Sequence, residues 1–400
     1  MMNILFLTNK VPYPPKDGGS IASFGLIGAM AKAGHAVTVL AMNTRKHHVT
    51  PYEIPEQIAS KIIFHLVEVP ANINMVAALR NLLFSRKPYN AERFIDKKFR
   101  LKLQLLLESH RYDMVQIEGF YLCPYISTIR RYSNAIITYR SHNIEHEIWE
   151  RTVAQTKGIK KFYIDLIARR LKKFEISFIN QYDLLVPITE RDEQQLNNLG
   201  NTKPSIVIPA GFDFDDIVDF KEDFNQNLFF IGALDWSPNQ EGLTWFLENC
   251  WDQILKEKPD LILKIAGRNA PAWFVETLKK PNIEYLGEID DAKQFIAENG
   301  IMIAPLLSGS GMRVKLIEGM CCRKAIVTTP VGCEGIPATN EKELFIAPTA
   351  IQFIEYVLIL LNNRQKIVDA GNNAFTFVKV AYDNSELNKR LVDFYNQYLK

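Results

Sequence analysis

The segment APLLSGSGMRVKLIEGM places cations where helix electrostatics disfavours them. A hydrophobic run ends in a Ser/Gly cluster, and the residues that follow have the pattern of a helix whose first turns carry Arg313 and Lys315. The helix dipole favours negative charge at the N-terminus of a helix. Ser310 can cap this helix, and Gly309 and Gly311 allow the backbone to approach a ligand closely. The pattern therefore indicates that an anion, such as a phosphate, binds beside the free N–H groups.

A carboxylate follows on the same predicted helix. Glu318 lies three residues after Lys315, so the two side chains are neighbours on one face, whereas Val314, Ile317 and Cys321 form the buried side. One cation and one carboxylate beside a phosphate site suit a nucleotide diphosphate, because the carboxylate can accept from ribose hydroxyls. The alternative is a solvated helix with a Lys–Glu ion pair.

An α/β fold would position these residues, because short apolar runs alternate with longer helical patterns along the chain. The first strand, NILFLT, is followed by the loop NKVPYPPKDGGS and the helix IASFGLIGAMAKAGH. Later strands are predicted in AVTVLAM, KIIFHLVEV, DMVQIE, NAIITYR, DLLVPIT and SIVIP. The pattern restarts with the strand NLFFIGAL and one long helix, PNQEGLTWFLENCWDQILKEK, and continues with the strands LILKIAG, IEYLG, IMIAP and KAIVTTP. We predict a first domain at 1–209, a linker at 210–227, a second domain at 228–383 and a final helix at 384–400.

Composition narrows the class of protein. The 400 residues suffice for two to three domains, and a net charge of +2 gives no general reason to bind nucleic acid. Five cysteines without a CxxC pair imply neither a disulfide framework nor a zinc site. The N-terminal apolar run is too short for a signal peptide, and no run of about 18 apolar residues occurs. We therefore expect a cytoplasmic protein.

The block APLLSGSGMRVKLIEGMCCRKAIVTTPVGCEGI resembles the donor-site region of retaining GT-B glycosyltransferases of the group-one family (family 4). It is similar to the branch of that family with a G-x-G-x-R-x-K-x-x-E donor loop. In L-I-E-G-M, Glu318 matches the second glutamate of the family's pair, whereas Ser310 stands where the first would fall. The family's commoner phosphate-binding cations would fall near Ala233 and Asn239, so Arg313 and the following lysine resemble their replacements.

Further matches extend the resemblance over nearly the whole chain. PPKDGGS is similar to the family's N-terminal Gly-Gly loop, and YRSHNIEHEIWER resembles its R-x-H-N-x-E segment, with His142 at the active-site histidine. IVIPAGFD resembles the inter-domain segment of the family, and FFIGALDWSPNQEGLTWF resembles the first strand and helix of its second domain. IAGRNAP and YLGEIDD resemble the loops around the nucleotide base.

The resemblance implies an α/β GT-B fold, in which two Rossmann-like domains face each other across a cleft and the C-terminal helix crosses back to the N-terminal domain. It implies transfer of a sugar, with retention, from a UDP- or GDP-linked donor to a hydroxyl of a glycan or lipid-linked acceptor. No metal, other cofactor or covalent adduct is expected. The expected catalytic residues are His142, Arg313, Lys315 and Glu318, and the expected donor-binding residues are Gly18, Gly19, Gly232, Gly267, Arg268, Ser308, Gly309, Ser310, Gly311 and Met312.

Several positions have a simpler interpretation. Gly18 and Gly19 can form an ordinary turn, and a lone histidine such as His142 is more often structural. Glu145 and His146 could suggest a metal pair, but no third ligand is spaced to complete a zinc site.

Residues 157–173 carry seven Lys or Arg and one Asp at helical spacing. This pattern is typical of a solvated helix face. The alternative is contact with an anionic membrane surface, at which a lipid-linked acceptor would reside, and hence peripheral attachment to the inner face of the membrane.

Other functions remain open from the residues alone. The absent first glutamate allows a catalytically idle subunit that binds nucleotide sugars. A nucleotide-sugar epimerase shares the architecture, but the acid and base residues it needs are not evident. A Rossmann dehydrogenase is disfavoured because no G-x-G-x-x-G follows the first strand.

Overall fold

The computed structural model describes residues 1–15, 17–214, 226–309 and 313–399, and it divides the chain into two compact units. The first unit comprises Met1–Phe212 together with Asn384–Lys400, and the second comprises Asp213–Asp383. Most of the segment predicted to be a linker, 215–225, lies outside the described residues.

The first unit is built on a six-stranded parallel sheet. Its strands are β1 (Asn3–Thr8), β2 (Ala36–Thr44), β3 (Ile62–Val69), β4 (Met114–Glu118), β5 (Ile136–Ser141) and β6 (Leu184–Pro187). Their spatial order is β3-β2-β1-β4-β5-β6, so the chain reverses direction across the sheet between β1 and β4. In register, Ile4 lies opposite both Val37 and Met114. Strands β1 and β4 are almost entirely buried, as expected for apolar runs in a sheet covered on both faces.

Helices of the first unit pack on this sheet. They are α1 (Gly18–Lys32), α2 (Glu56–Ala59), α3 (Met75–Phe84), α4 (Tyr89–Glu92), α5 (Lys97–Ser109), α6 (Ile126–Tyr132), α7 (Glu145–Gln155), α8 (Ile159–Ile176) and α9 (Glu190–Asn198), with 3₁₀ turns at Arg45–His47, Pro51–Glu53 and Phe120–Tyr125. The predicted start of α1 at Ile21 is wrong. Asp17 and Ser20 form a capping box that begins the helix at Gly18, so the glycine pair lies in the first helical turn and not in the preceding loop.

The predicted strand SIVIP is also wrong as a regular strand. Its backbone follows β6, with Ile206 N–H donating to Leu185 O at 3.1 Å, but only an isolated bridge between Leu185 and Ser205 results. Ile208 N–H also donates to Pro187 O at 3.0 Å, but Pro209, the last residue of the segment, supplies no N–H donor for a further bond.

The second unit repeats the same strand order. Its strands are β7 (Leu228–Ile231), β8 (Leu263–Ala266), β9 (Ile283–Gly287), β10 (Ile301–Ala304), β11 (Ile326–Thr328) and β12 (Phe345–Ile346), arranged β12-β11-β10-β7-β8-β9 and all parallel. Here the reversal lies between β7 and β10. Ligands of doubly wound sheets bind outside the carboxyl ends of the strands at such a switch point.

Helices of the second unit are α10 (Ser237–Asn249), α11 (Trp251–Glu257), α12 (Ala272–Thr277), α13 (Ala292–Glu298), α14 (Val314–Cys321), α15 (Ala350–Leu361) and α16 (Arg364–Tyr382). The single helix predicted over PNQEGLTWFLENCWDQILKEK is wrong, because Cys250 leaves helical geometry at φ −122° and ψ −42° and separates α10 from α11. The break accompanies complete burial of Trp251, whose indole N–H donates to Pro281 O at 3.2 Å.

The last helix, α17 (Asn384–Asn396), belongs to the first unit. Its backbone starts with a hydrogen bond from Asn384 N–H to Phe212 O at 2.9 Å. Its apolar face enters the core beside β1 through Leu387, Leu391, Phe394 and Tyr395. The predicted fold class, an α/β protein with two parallel doubly wound sheets, is confirmed.

Candidate active site

A buried carboxylate, Glu118, ends β4 at the switch point of the first sheet. Its Oε2 atom accepts from Ser23 Oγ at 2.7 Å, lies 2.8 Å from His142 Nε2 and lies 3.6 Å from Arg140 Nη1. Its other oxygen accepts from the amide of Gln116. Sequence reasoning missed Glu118, although its position at the carboxyl end of an apolar strand was a usable signal.

These contacts determine the charge of Glu118. Burial alone would raise the pKa of this carboxyl, but the Arg140 guanidinium and the hydrogen bonds from His142 and Ser23 outweigh it and hold the pKa at about 2. Arg140 is itself fully buried and donates to Ala22 O at 2.9 Å. Glu118 is therefore a fixed negative charge over the ordinary pH range.

His142 follows β5, and its side chain is 15% exposed. It lines a cavity of about 240 Å³ whose other walls come from the ends of β1 and β4 and the start of α1. Glu145 also lines this cavity and accepts from Tyr121 Oη at 2.8 Å. Burial raises the pKa of Glu145 to about 7, and the nearby Glu175 adds to the rise. The cavity thus joins an oriented imidazole to a carboxyl group that titrates near neutrality.

Gly19 lines the same cavity at the N-terminus of α1. A Cβ at this position would lie 3.3 Å from Lys10 Nζ and 3.5 Å from Asp17 Oδ1. Those two side chains form an ion pair; burial opposes ionisation of Asp17, but Lys10 prevails and lowers the pKa of its carboxyl to about 2. The N-terminal end of α1 therefore carries the carboxylate of Asp17 and, beside it, the ammonium of Lys10.

Lys315 is the central charged residue at the switch point of the second sheet. It lies on α14, which follows β10, and its ammonium donates to Asn239 Oδ1 at 2.8 Å on α10, which follows β7. The same ammonium lies 4.2 Å from the centre of the Phe230 ring. It therefore stands beside the position where the resembled family would carry a cation, which agrees with the interpretation of Lys315 as a replacement.

The surroundings of Lys315 contain a second cation and, within the part of the chain that the structure describes, no carboxylate partner. Burial, together with the charge of Arg313, lowers the pKa of Lys315 to about 7. Arg313 is buried, with its guanidinium 5.8 Å from the centre of the Trp236 ring. Among the described residues no ion pair joins Lys315 to Glu318, so the alternative of a solvated Lys–Glu pair is wrong.

Glu318 lies one turn further along α14. Burial raises the pKa of its carboxyl to about 7, although Lys293 acts in the opposite direction. The predicted inner face of α14 is correct for Ile317 and Cys321, whereas Val314 is only partly buried.

The start of α14 differs from the prediction. Arg313 occupies the cap position and its side chain makes no capping hydrogen bond, so the predicted cap by Ser310 concerns a residue that the structure does not describe. Ser310, Gly311 and Met312 lie outside the described residues. Gly309 is described, and its φ of +111° requires glycine; a Cβ there would lie 3.1 Å from both Arg313 and Trp236.

The remaining predicted donor residues follow strands of the second sheet. Gly232 follows β7 and Gly267 follows β8, and a Cβ on Gly267 would lie 2.0 Å from Gly232 O. Close packing of these two loops thus accounts for the second glycine. Arg268 is half-buried beside them, and Ser308 Oγ donates to Glu241 after β10. No bound donor tests these residues, so their role stays a prediction.

The pair Glu145 and His146 forms no metal site, and the described residues contain no cluster of three potential ligands. His146 Nδ1 instead lies 2.7 Å from the buried Glu175 Oε2, whose carboxylate also accepts from the backbone of Glu145 and His146. This histidine therefore has a structural role at the start of α7.

Comparison with known proteins places the two units in one class. The chain superposes on Anabaena HepE in complex with UDP and glucose with a TM-score of 0.69 and 13% identity, covering 99% of this chain and 100% of that one. It superposes on a sucrose-phosphate synthase from Thermosynechococcus elongatus with a TM-score of 0.68 and 14% identity, covering 99% of each chain. The two doubly wound units are thus those of the GT-B fold.

Sequence comparison then identifies the family. A model described as glycosyltransferase family 4 matches residues 17–216, and one described as glycosyl transferases group 1 matches 225–363. An uncharacterised 44.6 kDa protein in the cps region of Klebsiella pneumoniae is 24% identical over 97% of this chain and 98% of its own length. The chain belongs to glycosyltransferase family 4 of group one and is a glycosyltransferase that uses a nucleotide-linked sugar, which confirms the predicted family and activity.

Proposed function

We propose that this enzyme transfers a hexosyl group, with retention, from a nucleotide-diphosphate sugar to a hydroxyl of a glycan or lipid-linked acceptor. The observation that carries this proposal is the pair of cations at the switch point of the second sheet, of which Arg313 is buried and Lys315 half-buried. Lys315 has an amide, an aromatic ring and another cation as neighbours, and no carboxylate among the described residues pairs with it. A diphosphate supplies the negative charge that this environment lacks.

The chemistry of transfer explains why two cations are useful. Cleavage of the anomeric C–O bond leaves a diphosphate, and negative charge develops on its oxygen in the transition state. Lys315 and Arg313 are held in place before the reaction, so they stabilise this charge without reorganisation. Glu318 would accept from the ribose hydroxyls, and this contact favours the ionised form of a carboxyl whose pKa burial raises to about 7.

His142 would contact the donor sugar from the cavity of the first unit. Glu118 acts through it, because the carboxylate fixes the orientation of the ring at Nε2 and leaves Nδ1 for the ligand. We assign no covalent nucleophile, and we propose that departure and attack occur on the same face of the sugar. A bound metal is not part of this mechanism, since Arg313 and Lys315 supply the positive charge.

The comparisons suggest which ligands to test first. HepE binds UDP and glucose, so we propose UDP-glucose as the first donor to examine, with GDP-linked sugars next. The Klebsiella relative lies in a cps region, which favours a growing polysaccharide or its lipid-linked precursor as acceptor. A lipid-linked acceptor would fit peripheral contact with the membrane through residues 157–173.

Thermal unfolding with UDP, GDP, UDP-glucose and GDP-mannose tests the donor, because a ligand at a hundred times its Kd stabilises by about 2.7 kcal/mol. Release of nucleotide diphosphate, with and without a saccharide mixture, then tests turnover, and NMR of the product gives the anomeric configuration. An inverted product would exclude the retaining mechanism. Binding without release in any mixture would favour the idle subunit, to which Ser310 at the position of the family's glutamate points.

A further inference from the structure

Helix α3 exposes an unusual amount of apolar surface. Its sequence, MVAALRNLLF, has one fully buried residue, and that residue is the polar Asn81. Apolar side chains between 58% and 85% exposed cover its outer side and the residue before its cap: Ile73, Met75, Val76, Leu79, Leu83 and Phe84. Met75, Leu79 and Leu83 are spaced four apart and therefore form one stripe. A helix in water normally turns such a stripe toward its own protein.

The charged residues of the segment 70–91 have one sign, and Glu92, directly after it, is half-buried and accepts from the amide of Asn81. Residues 70–91 contain Arg80, Arg86 and Lys87 and no aspartate or glutamate. All three cations are exposed. A symmetric contact between two copies of this face would bring the same cations together with no carboxylate from 70–91 to balance them. The surface that complements it is apolar and anionic at once.

Helix α8 adjoins α3 and has the same character. Arg170 on α8 donates to the carbonyl of Leu82 at 3.1 Å and so fixes the C-terminal end of α3. The solvent-facing stripe of α8 combines apolar and basic side chains: Phe162, Leu166, Arg169, Lys173 and Ile176. Arg169 pairs with Asp165 on the same helix at 2.7 Å. Phe162 is 79% exposed. The two neighbouring helices thus both expose apolar side chains interspersed with cations.

We propose that α3, together with the outer stripe of α8, is a membrane-binding surface that lies in the interface of an anionic lipid bilayer. A helix of ten residues is about 15 Å long, roughly half the thickness of the hydrocarbon core. It is therefore suited to lie in the plane of the membrane, with its apolar stripe below the headgroups and its cations at their phosphates. No described helix is long and apolar enough to cross a membrane.

This surface extends the proposed contact through 157–173 to a helix that contributes the apolar part of the binding. It does not depend on the transfer reaction. The Lys315→Ala variant, which removes a proposed catalytic cation in the other unit, should therefore bind vesicles as the unmodified protein does. Loss of activity with retained vesicle binding would support the membrane surface independently of the reaction. Retained activity with loss of vesicle binding would contradict the separation of the two functions at Lys315.

Co-sedimentation of the full chain with vesicles tests the proposal. The probes are vesicles of phosphatidylcholine alone and vesicles of equal parts phosphatidylcholine and phosphatidylglycerol. The Leu79→Gln, Leu83→Gln double variant removes the apolar stripe, and Gln has nearly the same helix propensity as Leu. Its matched control is Ile351→Gln with Val380→Gln, since these side chains are 69% and 78% exposed on helices of the second unit.

We expect the unmodified protein to bind the anionic vesicles and the Leu79, Leu83 variant to bind at least about tenfold more weakly, because each buried leucine contributes a factor of about ten or more. The control should bind normally. Arg169→Gln with Lys173→Gln should weaken binding to anionic vesicles more than Lys256→Gln with Lys279→Gln. Absence of vesicle binding by the unmodified protein would overturn the proposal. So would a Leu79, Leu83 variant that binds normally, or light scattering that shows these leucines joining two copies of the chain without lipid.

Discussion

Replacement of Lys315 by methionine should stabilise the ligand-free enzyme while removing most of its activity. Methionine keeps the length of the side chain and removes its charge. The lysine is held beside Asn239, the Phe230 ring and a second cation, so its ammonium lacks a compensating negative charge until a donor binds. The charge of Lys315 is therefore costly in the free protein and useful in the complex. Its removal should raise the free energy of unfolding and lower the activity.

The structure sets the size of the stability effect. Burial, with help from Arg313, lowers the pKa of Lys315 from 10.5 to about 7. One pKa unit corresponds to about 1.4 kcal/mol, so the cost of the charge is bounded at roughly 5 kcal/mol. The side chain is only partly buried, and solvent screening reduces this to about 2 kcal/mol. The folded pKa lies below the unfolded one, so this cost is fully present below pH 7 and disappears as the pH rises from about 7 to 10.5.

The activity should fall by about a hundredfold to a thousandfold, the usual effect of removing one preorganised donor from a developing oxyanion. The measurements are the free energy of unfolding in urea at pH 6.5 (about half a pH unit below the pKa) without ligand, and kcat/KM for release of nucleotide diphosphate. A second buried lysine provides the control. Lys324 is 1% exposed, and burial lowers its pKa to about 8, but its ammonium donates to Ala297 O at 2.7 Å and Asn299 O at 2.8 Å.

Lys324→Met should therefore destabilise the protein, because two buried carbonyl groups lose their donor, while kcat/KM of the folded fraction changes little. The contrast between two buried lysines of one unit separates a functional charge from a structural one. A Lys315→Met enzyme with kcat/KM within about twofold of normal would refute the assignment, since loss of an oxyanion donor costs far more. Destabilisation equal to that of Lys324→Met would refute the argument about the uncompensated charge.

Three further outcomes follow from the charged groups. The Kd for UDP-glucose, measured by calorimetry, should rise above pH 7 by at most about tenfold per pH unit, because Lys315 loses its proton. This pH dependence of the Kd should persist in Glu318→Gln, which removes a carboxyl whose pKa is also about 7, and it should vanish in Lys315→Met. Glu118→Gln should lower the free energy of unfolding by about 3 kcal/mol at pH 7, because the native pKa of about 2 lies below the ordinary 4.5. This stabilisation is present above pH 4.5 and is lost as the pH falls toward 2. Urea unfolding of the variant should therefore depend less on pH over that range. Addition of EDTA should leave the rate of nucleotide release unchanged, and loss of activity restored by a divalent cation would contradict the metal-independent mechanism.

Most of the strands were predictable because they are apolar runs bounded by polar or turn residues. The two-residue strand β12 was not predicted, and SIVIP is not a regular strand. The start of α1 was also readable, since Asp17 and Ser20 have the spacing of a capping box and outweigh the low helix propensity of Gly18 and Gly19. The break at Cys250 was not readable. Nothing in the local pattern opposes a continuous helix there, and the cause is burial of the following tryptophan among residues distant in the sequence.

The candidate site was likewise predictable only in part. Lys315 and Glu318 were selected from the charge pattern of the predicted helix, and His142 through a resemblance to a family. The environments of these side chains could not have been predicted in either way. Glu118 lies 24 residues from His142 and 95 from Ser23, so only the parallel order of the strands brings the three together. A general rule about the carboxyl ends of strands would have selected Glu118 as a candidate, but not its partners.

The two sheets have the same strand order, yet their switch points carry different chemistry. In the first unit a buried carboxylate at the end of β4 is fully compensated and orients His142. In the second unit the cations after β10 remain without a carboxylate partner for Lys315. If the compensated groups position the reacting sugar, their loss should lower kcat and leave nucleotide affinity unchanged. If the uncompensated groups bind the charged leaving group, their loss should weaken nucleotide binding itself.

His142→Ala should therefore leave the Kd for UDP within about twofold of normal while lowering kcat by about a hundredfold or more, because it removes a contact to the sugar only. Lys315→Met should weaken UDP binding itself. Calorimetric titration with UDP, beside turnover of UDP-glucose, measures both quantities for both variants. Equal loss of UDP affinity in the two variants would show that the histidine binds the nucleotide, and the division between the two switch points would then be wrong.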